Sequence, residues 1–307
     1  MSSTRHVGSV LLACLLWGTT GTVAHFAPAG ASATLIGLST FGFGGLLLVA
    51  TSARATLAQL RRPGALGWAV VGAIGVLMYA SMFYAAMAVI GVAIGNAVAL
   101  GSGPVFAAVL EVALDRARVA LPWLVATLLA VAGIALLASA AHVEPQAASA
   151  GPGAILGVGL GLGAGFGYAL YSYVGGRLIR DGGDSRPVMA SMFGLSCLVT
   201  IPWFFLAGPG PLLDPPGPVI LLYLAVFPMA VAYLLFGYGL SRLTASTATT
   251  LALSEPLVAT LLAVVVVGER LALTAWLGLA LVFAGIVLVG VWETRSGPAR
   301  PHLGPGI

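Results

Sequence analysis

The sequence predicts an all-α integral membrane protein with ten transmembrane helices arranged as two inverted five-helix repeats. Three observations carry this. Apolar side chains make up 60% of the 307 residues and charged ones only 7%, where a soluble globular domain carries about 25% charged residues. Charge-free runs are long enough to cross a bilayer, which takes about 20 apolar residues per helix. Finally, a shift of 152 residues lays one part of the chain on another, with Ser102 and Pro104 on Ser254 and Pro256.

Span one, residues 7–26, follows Arg5 and is read as a retained helix, because it lacks a small-residue cleavage site before the next span begins. Span two, 33–52, stops ahead of Arg54, Arg61 and Arg62. Residues 63 to 110 hold no Asp, Glu, Lys or Arg. That run is too long for one helix and divides into spans three, 65–88, and four, 93–112, at the bend from Gly91 to Asn96. Span five, 121–141, follows Arg116 and Arg118, and span six, 153–175, ends ahead of Arg177 and Arg180. Span seven covers 187–207, and span eight, 218–240, follows a proline-rich turn. Spans nine, 244–267, and ten, 271–292, are separated by Glu269 and Arg270. The first repeat occupies residues 1–146 and the second 147–295, with a cytoplasmic tail at 296–307; the loops are too short for a separate soluble domain.

Charge sets the orientation. With a cytoplasmic N-terminus, the inner segments hold Arg5, Arg54, Arg61, Arg62, Arg116, Arg118, Arg177, Arg180, Arg186, Arg242, Arg295 and Arg300, against Arg270 alone outside. Positive charge resists translocation, so both termini are expected in the cytoplasm and the chain in the cytoplasmic (inner) membrane. The net charge of +4 therefore describes topology. A nucleic-acid face would cluster its arginines on one element, and here they are parcelled out loop by loop, so no nucleic-acid partner is expected.

The 152-residue shift also lays Arg118 on Arg270 and Ala132-Gly133-Ile134 on Ala284-Gly285-Ile286. Five spans per half force opposite orientations, the inverted-repeat construction of many secondary transporters. Spans five and ten are expected to pack through Ala132, Gly133, Ala284 and Gly285, which would leave a monomer or weak oligomer as the functional unit.

Six glycines alternate in span six: Gly157, Gly159, Gly161, Gly163, Gly165 and Gly167. Residues two apart on a helix point to opposite sides, so they form two stripes with the spacing that lets membrane helices approach closely. One face is expected to press on a neighbour and the other to leave room for a substrate or a sliding partner. The loose dinucleotide pattern through Gly159, Gly161 and Ala164 lacks the preceding strand and accessible helix start that phosphate binding needs.

Pro104 and Pro256 lie near the middle of spans four and nine, where each frees the carbonyl four residues earlier, Leu100 or Ala252. Matching helix breaks in two halves point to a transporter's central site, and Ser102 and Ser254 stand beside them. Trp17, Tyr79, Phe83, Tyr168, Tyr171, Tyr233 and Phe236 share compatible depths. Their apolar bodies and polar tips suit a pocket for a small amphipathic molecule. Tyr223 and Trp203, near span ends, fit the interfacial belt.

Glu255 sits mid-span, where an intramembrane acid is a functional candidate; it could carry protons, orient a cationic group of the cargo, or be structural. Glu111 is expected to reach Arg116 or Arg118. Asn96 reads as a helix cap or a gating candidate, and His25 as interfacial. Cys14 and Cys197 read as small apolar packers. No catalytic constellation, metal site or cofactor site is expected, and without a Walker pattern the chain is not an ATP-driven pump.

The segments LLWGTTGTVAH, GSGPVFAAVLE, LSEPLVATLL and GERLALTAWLGLALVFAGIVLVG resemble the drug/metabolite transporter superfamily, specifically its EamA-type ten-helix exporters. The resemblance implies a carrier in the cytoplasmic membrane that exports small metabolites, often amino acids, by alternating access. Many such relatives carry an arginine in the middle of the second span, where Thr40 stands here, so no anion-holding role is transferred to that position. The expected partners are a small-molecule substrate, the lipid bilayer and protons. Import or facilitated diffusion of another amphipathic metabolite or drug is the alternative, followed by an integral membrane enzyme.

Overall fold

A computed structural model of the chain describes residues 3–140, 152–267 and 271–296. Every regular element among the described residues is helical, and ten helices are long and apolar enough to cross a membrane. The first half comprises α1 (Ser3–Ala24), α2 (Ala33–Leu60), α3 (Ala65–Ile90), α4 (Val92–Asp115) and α5 (Leu121–Ala140). The second comprises α6 (Pro152–Arg180), α7 (Ser185–Leu206), the short α8 (Gly210–Leu213), α9 (Gly217–Leu224), α10 (Ala232–Leu240), α11 (Ala245–Ala252), α12 (Ser254–Leu262) and α13 (Leu273–Ser296). Span eight runs from α9 to α10 through a π-helical stretch, Ala225–Val231, and a second, Ala263–Val267, follows α12. The repeat boundary near residue 146, Glu269, Arg270 and the tail from 297 lie outside the described residues.

Helix α2 runs past the expected end at 52, through non-helical dihedrals at Ser52 (φ −156°, ψ 35°). The added piece, which carries Arg54, is held by the Thr56 hydroxyl donating to the Ser52 carbonyl at 3.0 Å, and it buries Thr56 and Gln59. Helices α3 and α4 are joined through Gly91 alone, whose φ of 84° and ψ of 155° suit glycine.

The pairing of helices repeats between the halves. Helix α3 lies on α6 as α10 lies on α1, and α4 on α6 as α11 and α12 on α1; α2 pairs with α7 and α5 with α13. Lipid is as apolar as leucine, so close approach must supply what the hydrophobic effect does in water. Glycine permits it: a Cβ on Gly75 would meet the Gly167 carbonyl at 2.8 Å, and one on Gly167 would meet the Gly75 carbonyl at 2.7 Å. Likewise, a Cβ on Gly133 would lie 2.6 Å from the Gly278 carbonyl, and one on Gly285 would lie 2.6 Å from the Ala126 carbonyl. Helices α5 and α13 therefore pack through Gly133 and Gly285, as expected, while Ala132 and Ala284 are exposed and take no part. Only the inward glycine of each Ala-Gly pair makes the contact.

Both glycine stripes of α6 are used for packing, which corrects the expectation of one open face. Gly161 and Gly165 press on Val98, Ala99 and Ser102 of α4, and Gly163 and Gly167 on α3. Of the six alternating glycines, Gly159 alone faces open space, with nothing within 4 Å of its added Cβ, and it does not border the cavity described below. The two prolines also differ. Helix α4 is continuous across Pro104, whereas span nine is interrupted at Leu253, between α11 and α12 and just ahead of Pro256. Matching breaks were expected; the repeat keeps the prolines but breaks one helix.

Candidate functional site

A cavity enclosing about 580 Å³, its open mouth included, lies in the middle of the bundle. Its lining comes from both halves: Trp17 and Thr20 of α1, Thr40 and Phe41 of α2, Tyr79, Phe83 and Tyr84 of α3, and Leu100 of α4. Tyr168 and Tyr171 of α6, Pro228, Met229 and Tyr233 of span eight, and Glu255 of α12 complete it. The lining runs from mid-depth at Tyr171, Tyr233 and Glu255 towards Thr20, Thr40 and Tyr84. These three sit in the halves of their helices remote from the chain termini, so the cavity approaches the opposite end of the bundle.

The aromatic residues form a continuous wall because they are staggered on helices that cross at this depth. Tyr79 packs on Phe83 at 5.1 Å and on Tyr168 at 5.5 Å between ring centroids, and Tyr168 packs on Tyr171 at 5.4 Å. Tyr233 packs at a tilt on Trp17 at 5.1 Å and, behind the wall, on Phe193 at 4.3 Å. The Tyr171 and Tyr233 hydroxyls are hydrogen-bonded to each other at 3.0 Å, which gives both buried polar tips a partner in an apolar setting. The Tyr168 hydroxyl is buried and has no hydrogen-bond partner among the described residues. Glu255 makes no hydrogen bond or ion pair with any described residue.

Seven of the residues singled out in the sequence thus meet: Trp17, Tyr79, Phe83, Tyr168, Tyr171, Tyr233 and Glu255. Phe236 stands behind them, against Trp17 and Tyr233. Ser102 and Ser254 do not line the cavity. Each instead donates to the carbonyl three residues back, Ala99 at 3.2 Å and Leu251 at 2.8 Å, the same bond at equivalent repeat positions. Pro104 and Pro256 are buried outside the lining. Asn96 is neither cap nor lining: Gly91 occupies the N-cap of α4, and the Asn96 side-chain oxygen is buried without a partner among the described residues. Tyr223 donates to the Thr19 hydroxyl at 3.1 Å and ties α9 to α1.

Sequence reasoning missed Thr20, Phe41, Tyr84, Pro228 and Met229, and noted Thr40 and Leu100 only for other reasons. Pro228 carried a signal, since a mid-span proline removes a helical hydrogen bond, and here it lies inside the π-helical stretch. Such stretches are frequent at functional sites. Thr40 stands on the wall with its hydroxyl donated to the Ile36 carbonyl at 2.8 Å.

The profile of the EamA-like transporter family matches residues 5–139 and again residues 155–291. The chain belongs to that family. The double match is the two-repeat construction, and this EamA-family chain is a multi-pass membrane transporter. It is 34% identical over 297 residues, 95% of both chains, to the uncharacterized transporter YwfM of Bacillus subtilis (strain 168). It is 38% identical over 68 residues to the putative permease-like protein YdzE of the same organism, covering 22% of this chain and 87% of that one. A solved crystal structure with 19% identity superposes with a TM-score of 0.77 over 95% of this chain and 98% of that one.

At the termini-bearing end, the EamA bundle is tied by polar groups. Asp115 at the end of α4 accepts from the Tyr173 hydroxyl at 2.8 Å and pairs with Arg177 at 3.4 Å and Arg180 at 3.2 Å on α6. The Arg177 guanidinium lies over the Trp68 ring of α3 at 4.6 Å. Glu111 is buried and accepts from the Ser246 amide at 3.2 Å and hydroxyl at 2.6 Å, which replaces the expected partnership with Arg116 or Arg118. Glu293, one residue beyond the expected end of span ten, is also buried at this end of the bundle. Asp115→Asn is expected to cost about 1 kcal/mol, because its ion pairs are partly exposed to solvent; thermal unfolding of purified protein measures it.

Proposed function

We propose that this chain is a secondary transporter that exports small amphipathic metabolites, amino acids among them by family likeness, across the cytoplasmic membrane by alternating access. Both termini lie in the cytoplasm. The observation that carries the reading is the mid-depth cavity walled by helices of both repeats. A site between two inverted halves can be exposed to either side by rocking one half against the other. The arginine asymmetry supports the orientation, and in that orientation the cavity leans towards the outside, with the Asp115 cluster at the cytoplasmic end. Among the described residues Glu255 is the sole carboxylate or basic side chain in the lining, whereas a membrane enzyme would draw on converging acid and base groups.

Import or facilitated diffusion would use the same cavity, so the test is direct. Proteoliposomes are given a panel of radiolabelled amino acids and their decarboxylated amines, with and without a pH gradient. Saturable counterflow of any member supports the carrier, and stimulation by the gradient adds protons as the coupling partner. Failure of every member to exchange overturns the reading for this substrate class. For topology, cysteines introduced at either terminus are expected to resist membrane-impermeant label in intact cells. Labelling of either end from outside would reverse the orientation.

A further inference from the structure

We infer that the ligand of the central cavity is an organic monocation, an amine-bearing amphipath without a carboxylate, held by the Glu255 carboxylate against the aromatic wall. The inference rests on the carrier reading above and narrows its substrate class, with amines that lack a carboxylate in place of the amino acids suggested by family likeness. Eight aromatic rings and one acid line the cavity, and among the described residues no Arg, Lys or His does. All thirteen basic residues are arginines placed near span ends or in loops. A ligand's positive charge therefore finds a carboxylate among several aromatic rings, the combination used to recognise ammonium groups.

A ligand's carboxylate finds the opposite. It would enter beside Glu255 with no cation to pair with, and a buried charge without a partner is strongly unfavourable. Thr40, beside Phe41 on the α2 side of the wall, brings no charge and donates its own proton to the Ile36 carbonyl.

Two further observations point to a ligand at this place. Glu255 makes no bond within the described protein, although carboxylates at membrane depth are normally paired. The Tyr168 hydroxyl, on a residue only 3% exposed, also has no partner, and buried hydroxyls are normally satisfied. An ammonium can donate to either kind of oxygen.

The test uses 2-phenylethylamine and phenylalanine, which differ only by the carboxylate, as radiolabelled probes for the purified chain in nanodiscs. The amine is expected to bind saturably, with phenylalanine competing at least tenfold less well. Glu255→Gln is expected to weaken amine binding at least tenfold, Glu255→Asp to retain part of it, and Tyr168→Phe to weaken it about threefold. Thr40→Arg keeps Glu255 in place and adds a cation to the wall, so it is expected to abolish amine binding even if the Gln variant fails to fold. Equal competition by phenylalanine, or undiminished amine binding in Glu255→Gln or Thr40→Arg, overturns the inference. Amine binding without counterflow in proteoliposomes overturns the carrier reading and leaves the ligand class intact. Phenylalanine counterflow without amine binding does the reverse.

Discussion

Gly167→Leu is expected to prevent recovery of folded protein, the largest effect of any single substitution in α6. A Cβ at Gly167 would lie 2.7 Å from both the Gly75 carbonyl and the Tyr79 amide of α3. These are backbone atoms and cannot swing aside. Overpacking a core that can relax costs about 1–3 kcal/mol; here α3 and α6 would have to separate, so the cost lies beyond that range. The other glycines of the same helix provide a graded series. A Cβ at Gly161 meets Val98 Cγ1 at 2.8 Å, whereas one at Gly163 meets the Met82 sulfur at 2.5 Å, and that thioether is flexible. Gly159 meets nothing within 4 Å. Thermal unfolding of detergent-solubilised variants, read by size-exclusion, should rank Leu at 159 as native-like, 163 as mildly weakened, 161 as clearly weakened and 167 as lost. A flat series would show that α6 does not approach α3 through its glycines.

Glu111→Ala is expected to destabilise the protein by about 3 kcal/mol, since hydrogen bonds to charged groups contribute about 1.5–3 kcal/mol and two are lost. The carboxylate also sits at the first turn of α11, where the unpaired amides of the helix favour negative charge by about 0.3–1 kcal/mol. Its removal leaves the Ser246 amide and hydroxyl without their acceptor in a buried setting. Glu111→Gln keeps an oxygen in place and is expected to cost about 1 kcal/mol, the net worth of the charge. Thermal and denaturant unfolding of the two variants measures the difference. Native stability in the alanine variant would mean that α11 is not anchored to α4 at this point.

The contrast between Glu111 and Glu255 shows how far the sequence could be read. Both acids were legible as intramembrane residues, and the depth of Glu255 marked it for function. The partner of Glu111 was not legible. Its arginine neighbours are close along the chain, but Ser246 reaches it from the other repeat because α11 packs on α4. The aromatic residues behave similarly: Tyr79, Tyr168 and Tyr233 were found from depth alone, while Phe41 and Tyr84 were missed, although they lie at similar depth on the same wall. The proline pair misled in a different way, since Pro104 is accommodated within a continuous α4 and the break falls only at Leu253.

The sequence by itself determined the ten spans and the two-repeat construction. Lipid imposes a minimum apolar length and requires each segment to satisfy its own backbone, and both constraints are written locally along the chain. Which face of each helix points inward was decided only by the tertiary structure. In water, polar residues mark the outer face of a helix, but in lipid the outer face is as apolar as the core, so periodicity carries little information about rotation. Ala132 and Gly133 illustrate this: neighbouring small residues, one exposed to lipid and the other in backbone contact with α13, are distinguished only by the packing of α5 on α13.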